Sequence, residues 1–168
     1  MYVERPFRAA ELQMKTYRWL VVAVIALTGA SSNGRAQEES KDLEIVVIRP
    51  TSTAGTKQGI PMFQGISGQN AGAKHISMNK IVIPPGGSAK AHVHKGYESV
   101  IYLIRGRVKT LYGPGLKKSV INEAGDFLYI PADLPHKPIN LSDTEAAEAI
   151  VARTDPNEQE SVEHVAEP

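Results

Sequence analysis

The run Gly86-Gly87-Ser88-Ala89-Lys90-Ala91-His92-Val93-His94-Lys95-Gly96-Tyr97-Glu98 carries the strongest chemical pattern in this 168-residue chain. Successive side chains of a strand alternate between its two faces, so His92 and His94 share one face. Two imidazoles on one face, with the Glu98 carboxylate four residues on, make half of a metal site. An isolated His-x-His is more often a surface or core pair, so a second half must come from elsewhere. A third imidazole, His136, closes the run Gly125-Asp126-Phe127-Leu128-Tyr129-Ile130-Pro131-Ala132-Asp133-Leu134-Pro135-His136. Three imidazole nitrogens and one carboxylate oxygen suit Fe(II), Mn(II), Ni(II), Cu(II) or Zn(II). The chain has no Cys, which excludes thiolate zinc sites, Cys nucleophiles and a disulfide scaffold.

Around these runs the sequence reads as β. Ser99–Ile104 (SVIYLI) is continuously apolar, as for a strand covered on both faces. Arg107–Tyr112 resumes after Gly106, turns at Gly113-Pro114-Gly115 and returns through Lys118–Ile121. Phe127–Ile130 is bounded by Gly125-Asp126 and Pro131, and Ala73–Ile83 stops at Pro84-Pro85-Gly86-Gly87. Leu43–Arg49 is a short β-branched run expected as a strand, and Thr51–Gly59 is turn-rich. Glu145–Ala152 reads as a last strand, with a helix left open by its Ala and Glu content. The expected organisation is an N-terminal strand and loop over 37–72, a barrel over 73–152 and a mobile polar tail over 153–168.

Residues 1–36 read as a cleavable signal peptide. Trp19–Ala30 is an apolar run of 12, too short for a membrane span of roughly 20 residues and right for an h-region. Lys15 and Arg18 precede it, Gly34 and Ala36 offer a small-residue cleavage site, and Met14 is a plausible true start. The whole chain has a net charge of +1. Residues 1–36 hold five basic and two acidic residues, so 37–168 carries 14 basic against 16 acidic, net −2. Neither figure suggests a nucleic-acid binder. The expected location is periplasmic or secreted, with no membrane anchor after cleavage.

The spacing of the two runs resembles the two motifs of the cupin superfamily. Gly86, five residues, His92, one residue, His94, three residues, Glu98 and then Gly106 is similar to the first motif. Gly125, five residues, Pro131, then His136, three residues and Asn140 is similar to the second. The resemblance spans roughly Lys74–Val151. It implies an all-β double-stranded β-helix, the jelly-roll barrel, with a metal held inside by His92, His94, Glu98 and His136. It implies turn duties for Gly86, Gly106 and Gly125, structural duties for Pro131 and Asn140, and a homodimer. The implied cofactor is a divalent transition metal, with Fe or Mn favoured and Zn, Ni or Cu as alternatives.

Two departures from the pattern matter. Asp133 stands where the second motif has Gly, and Asp tolerates left-handed backbone better than most residues. Seven residues, not six, separate Glu98 from Gly106. Counting forward from His94 puts Glu98 in the ligand slot, and counting back from Gly106 puts Ser99 there. A bulge before Val100 would keep Glu98 inward, which is the favoured register because it completes the donor set. Otherwise the site is three-His.

Other candidates carry less. His75 reads as a partly exposed histidine, with a place at the pocket mouth as the alternative, and His164 reads as an inert tail residue. Tyr97, Tyr102 and Tyr129 are expected to pack with bonded hydroxyls. Lys80 reads as a solvated strand residue. No catalytic residue is assigned. The functions in view are a metal-dependent, dioxygenase-like oxygenase, a Lewis-acid isomerase or lyase, and a non-catalytic binder of a sugar, phenolic or organic acid. Exposed strand edges, above all Leu43–Arg49, favour strand-mediated dimerisation.

Overall fold

The computed structural model describes residues 44–157, 159 and 161–167. The expected leader and its cleavage site lie outside the described residues. Ten strands follow in chain order: β1 Met62–Ile66, β2 Ser77–Ile83, β3 His92–His94, β4 Ser99–Arg105 and β5 Arg107–Tyr112, then β6 Lys118–Glu123, β7 Phe127–Ile130, β8 His136–Asn140, β9 Ala147–Arg153 and β10 Val162–His164. Among the described residues the one α-helix, α1 Gly68–Ala71, is a single turn capped by Ser67.

The strands form two five-stranded antiparallel sheets, ordered β1-β2-β9-β4-β7 and β10-β3-β8-β5-β6. Neighbours in the sheets are mostly distant in sequence, which is the jelly-roll arrangement. Ile83, Leu103, Ala147, Val108 and Ala89 fill the space between the sheets. Four of them come one each from β2, β4, β5 and β9, and Ala89 comes from the lead-in to β3, so both sheets contribute to one core. Burial of each of the larger residues stabilises the fold by about 1.5–3 kcal/mol.

Asn140 ties the second motif to the first. Its Nδ2 donates to the carbonyls of Ile83, Pro84 and Glu145, and its Oδ1 accepts from Ser142 N–H. One buried side chain thereby satisfies backbone groups of the β2 end, the following turn and the lead-in to β9. Gly106, at the β4–β5 turn, has φ +94°, and a Cβ there would lie 2.9 Å from Ala147. Asp133 does adopt the left-handed backbone, at φ +61°. Its N–H donates to His94 O and its Oδ1 accepts from Gly96 N–H, so the turn is anchored to the end of β3.

Three expectations change. Residues 44–50 form no strand, and Ile45 is 96% exposed. High β-propensity yields a strand only with a neighbour to pair and a face to bury, and among the described residues this run pairs with none. Pairing starts instead at the Ala54–Met62 bridge and β1, inside the stretch expected as loop. The region after Arg153 is not a free polar tail, because β10 pairs with β3, setting Val162, Glu163 and His164 opposite His94, Val93 and His92. Val162 is buried, and Lys95 N–H and Val165 N–H bond across the seam to Ser161 O and Ala91 O. The strand option for Glu145–Ala152 is the one realised: β9 lies between β2 and β4, so both its edges are paired.

Candidate metal centre

β3 and β8 are adjacent strands, and His92 pairs directly with His136. That register brings the two sequence motifs together. His92, His94 and His136 are all buried, and their ring centroids lie 4.3–5.6 Å apart. One donor nitrogen from each lies within 4.8 Å of the others, and a small inward turn of the rings would bring them to the roughly 3–3.5 Å that neighbouring ligands of an ion with ~2.1 Å bonds keep.

Hydrogen bonds select which nitrogen faces the centre. His92 Nδ1–H donates to Lys90 O at 2.7 Å, and His136 Nδ1–H donates to Leu134 O at 2.9 Å. Each bond fixes the tautomer that leaves Nε2 as the lone-pair atom, the arrangement found behind metal-ligating histidines. Both ring nitrogens of His94 are buried without a hydrogen-bond partner. A buried unsatisfied imidazole is costly, and coordination to an ion would satisfy one of its two nitrogens. Burial pushes His92 down to about 3, with the neighbouring His136 adding to the effect. Burial likewise pushes His136 to about 4, and holds His94 far below the ordinary histidine value. All three are neutral at pH 7, the form that binds metal. The residues present therefore fit a divalent metal ion.

Glu98 does not join them. Its side chain lies on the outer face, where Oε1 accepts from the Tyr129 hydroxyl at 2.6 Å. Ser99 occupies the inward slot, 2% exposed, with Oγ accepting from Arg153 Nε at 2.9 Å. The irregularity in β4 falls between Leu103 and Arg105, not before Val100. Ser99, Ile101 and Leu103 therefore alternate inward without a break, opposite Arg153, Val151 and Ala149, and Glu98 falls on the other side. The three-His register is the one adopted.

The other candidates also have places. Tyr102 and Tyr129 are half exposed on the outer face of the first sheet, not packed inside, and the Tyr102 ring meets Phe127 at a tilt of 43°. Lys80 pairs with Glu148 at 3.4 Å over the Phe63 ring, and His75 is exposed. His164 is held, not inert, with Nε2 bonded to Lys57 O at 2.7 Å.

The imidazoles open into a cavity of about 50 Å³ whose walls include Ile81, Ile101, Ile130 and Val151, with Gln58 and Thr110 as polar neighbours. Arg153 lines it too, a residue assigned from sequence to the tail. Its signal was parity: it continues the inward set Ala147, Ala149, Val151 by one more step.

A family model described as "Cupin domain" matches residues 79–153, which contain all three histidines. Residues 79–153 form a cupin domain. Solved structures agree with that fold. An oxalate oxidase in complex with the substrate analogue glycolate is 22% identical, with TM-score 0.61, over 77% of this chain and 67% of the oxidase. The polyketide cyclase RemF from Streptomyces resistomycificus is 20% identical, with TM-score 0.58, over 74% and 88%. A Lactobacillus farciminis oxalate decarboxylase, in a formate complex, is 21% identical with TM-score 0.57, and this chain spans only 33% of it. At these identities the likeness is one of fold. A comparison with curated proteins found no match. Among the described residues no helix is long and apolar enough to cross a membrane.

Proposed function

We propose that this chain is exported, binds one divalent transition metal through His92, His94 and His136, and uses it to act on a small organic molecule. The observation that carries the metal reading is the convergence of three neutral, buried imidazoles, two with their tautomers set by backbone carbonyls, while export rests on the leader-like sequence of residues 1–36. A bound ion would supply a Lewis-acid or redox centre. The protein's own part is to hold the donors neutral, exclude water with the apolar wall and limit ligand size. With Glu98 outside, the donor set is all nitrogen, which favours Fe, Ni, Cu or Zn over the harder Mn. Among the described lining residues no carboxylate is placed to move a proton, which favours oxygenase-type chemistry over the isomerase or lyase reading.

The test is metal content of the purified chain by mass spectrometry, with oxygen uptake on a panel of small phenolic, diketone and hydroxy-acid substrates. Near-stoichiometric metal, lost in the His92→Ala/His136→Ala double variant, supports the centre. Undiminished metal in that variant refutes it. Metal without turnover of any compound supports the non-catalytic binding role instead. Export is tested by cell fractionation and N-terminal sequencing, with Gln37 expected as the first residue. We further propose a homodimer across the outer face of the first sheet, where Val100, Tyr102, Phe127 and Tyr129 form an exposed apolar row. Light scattering should give twice the chain mass, falling to one chain mass in Phe127→Lys.

A further inference from the structure

Each sheet ends in two edge strands, and the edges differ in how they are closed. On one side the segment before β1 ties down β10: Lys57 N–H donates to Gln159 Oε1, and Lys57 O bonds His164 Nε2. On the other side β7 ends the first sheet and β6 the second. A turn over 124–126 joins these two strands, yet among the described residues no ladder pairs them. A groove of about 350 Å³ lies in this seam, with Val120 of β6 and Leu128 of β7 among its walls. It ends on the metal centre, because His136, Thr110 and Ile130 line both the groove and the inner cavity. Register explains the continuity. Tyr112 of β5 stands directly opposite His136 of β8, so the two side chains share a face and Tyr112 carries the floor outward.

Size and lining say what the groove can hold. The inner cavity, about 50 Å³, has room for only a few waters. Sites for organic molecules are typically clefts of roughly 300–1,000 Å³ with mostly apolar and aromatic walls, and the groove falls in that range. A molecule that reaches the histidines therefore keeps its body in the groove and only its tip in the inner cavity. The described lining of the groove contains no Asp, Glu, Lys or Arg, so a charged body would lose hydration without gaining a partner. The Tyr112 ring offers a flat face, and ring against ring adds to the gain from apolar burial. Three protein donors leave positions on an ion for oxygens of the guest.

We propose that the seam between β6 and β7 is the substrate entrance, and that it selects neutral one-ring aromatics with adjacent hydroxyls, the ring held beside Tyr112 and Val120 and the hydroxyls turned toward the His92/His94/His136 centre. The inner contact rests on the metal reading above, and the groove contact does not. Tyr112 and Val120 are specificity residues in this scheme, and neither makes or breaks a bond.

The experiment is calorimetric titration of the Zn(II)-loaded and metal-free full chain with catechol, phenol, cyclohexanol and benzoate, alongside zinc analysis and thermal melts. On the metal-free protein phenol should bind about two- to tenfold more tightly than cyclohexanol, the share of one aromatic pair, and more tightly than benzoate. On the loaded protein catechol should bind about tenfold more tightly than phenol, the effect of one further strong contact. Val120 is 37% exposed, so Val120→Trp fills the groove without disturbing the core. That variant should weaken catechol and phenol by about 10- to 100-fold, the loss of a buried ring, and keep the wild-type zinc stoichiometry. Should it fail to fold, Tyr112→Leu keeps an apolar wall without the ring and should abolish the preference for phenol over cyclohexanol. Phenol bound no better than cyclohexanol or benzoate, catechol no better than phenol on the loaded protein, or wild-type behaviour of the folded variants overturns the proposal. If the wild type takes up no zinc, the metal reading fails by itself. The entrance is then decided on the metal-free protein, where phenol binding lost in Val120→Trp sustains it and phenol binding absent or unaffected ends it.

Discussion

Lowering the pH from 8 to 5 should leave the metal affinity of the folded protein almost untouched. Three histidines of ordinary pKa 6.5 would each have to lose a proton at pH 5, a cost of about 30-fold per ligand and roughly 3 × 10⁴ together. Here burial pushes His92 to about 3 and His136 to about 4, and holds His94 far below the ordinary value. At pH 5 His136 is still about nine-tenths neutral and the other two more so, so the loss should stay within about twofold. The same burial must appear in stability with the opposite tendency. The folded pKa values lie below the unfolded one, so the unfolded chain takes up protons first and stability falls as the pH drops through 6.5. By pH 5 this amounts to about 2 kcal/mol per imidazole, or about 4 kcal/mol for His92 and His136 together. Equilibrium dialysis against fixed free Zn(II) at pH 8, 6.5 and 5 measures the first effect. Urea melts of the metal-free protein at the same pH values measure the second. A fall in zinc affinity beyond about 100-fold, or a metal-free stability that does not change between pH 8 and 5, would refute the buried-neutral account of the site.

Other expectations follow from particular contacts. Glu98→Gln should leave metal content and Zn(II) affinity unchanged, because the carboxylate bonds Tyr129 on the outer face; loss of metal in that variant would restore Glu98 as a ligand. Asn140→Ala removes a donor shared by three carbonyls and an acceptor for Ser142, and should cost about 3–5 kcal/mol in chemical denaturation. Ending the chain after Asn157 deletes β10, strips the pairing from one edge of His92–His94 and uncovers the surface under Val162. A stability loss of about 3 kcal/mol and at least tenfold weaker zinc binding are expected, read by thermal melts and dialysis.

Local pattern and long-range pairing divided the labour in this molecule. The shared face of His92 and His94 depends only on residues a few positions away and was legible because strand alternation acts over that range. The turn positions of Gly106 and Asp133 were legible through the motif spacing, although long-range contacts with Ala147 and His94 complete them. The spacing of two motifs was enough to name the fold family and its three histidines. The inward slot was different. Whether Glu98 or Ser99 fills it depends on the phase of β4, and that phase is set by hydrogen bonding to β7 and β9, some 30 and 54 positions further along the chain. Arg153 was hidden for the same reason, since only its pairing with Ser77 and Ser99 makes it part of a strand and a wall of the cavity. Ile45–Ile48 had the stronger strand signal yet remains unpaired, while the polar Val162–His164 found an open edge beside β3. Composition and alternation thus determined what could become a strand. Only the tertiary structure decided which candidates found a partner, because a strand is stabilised by its neighbours and not by itself.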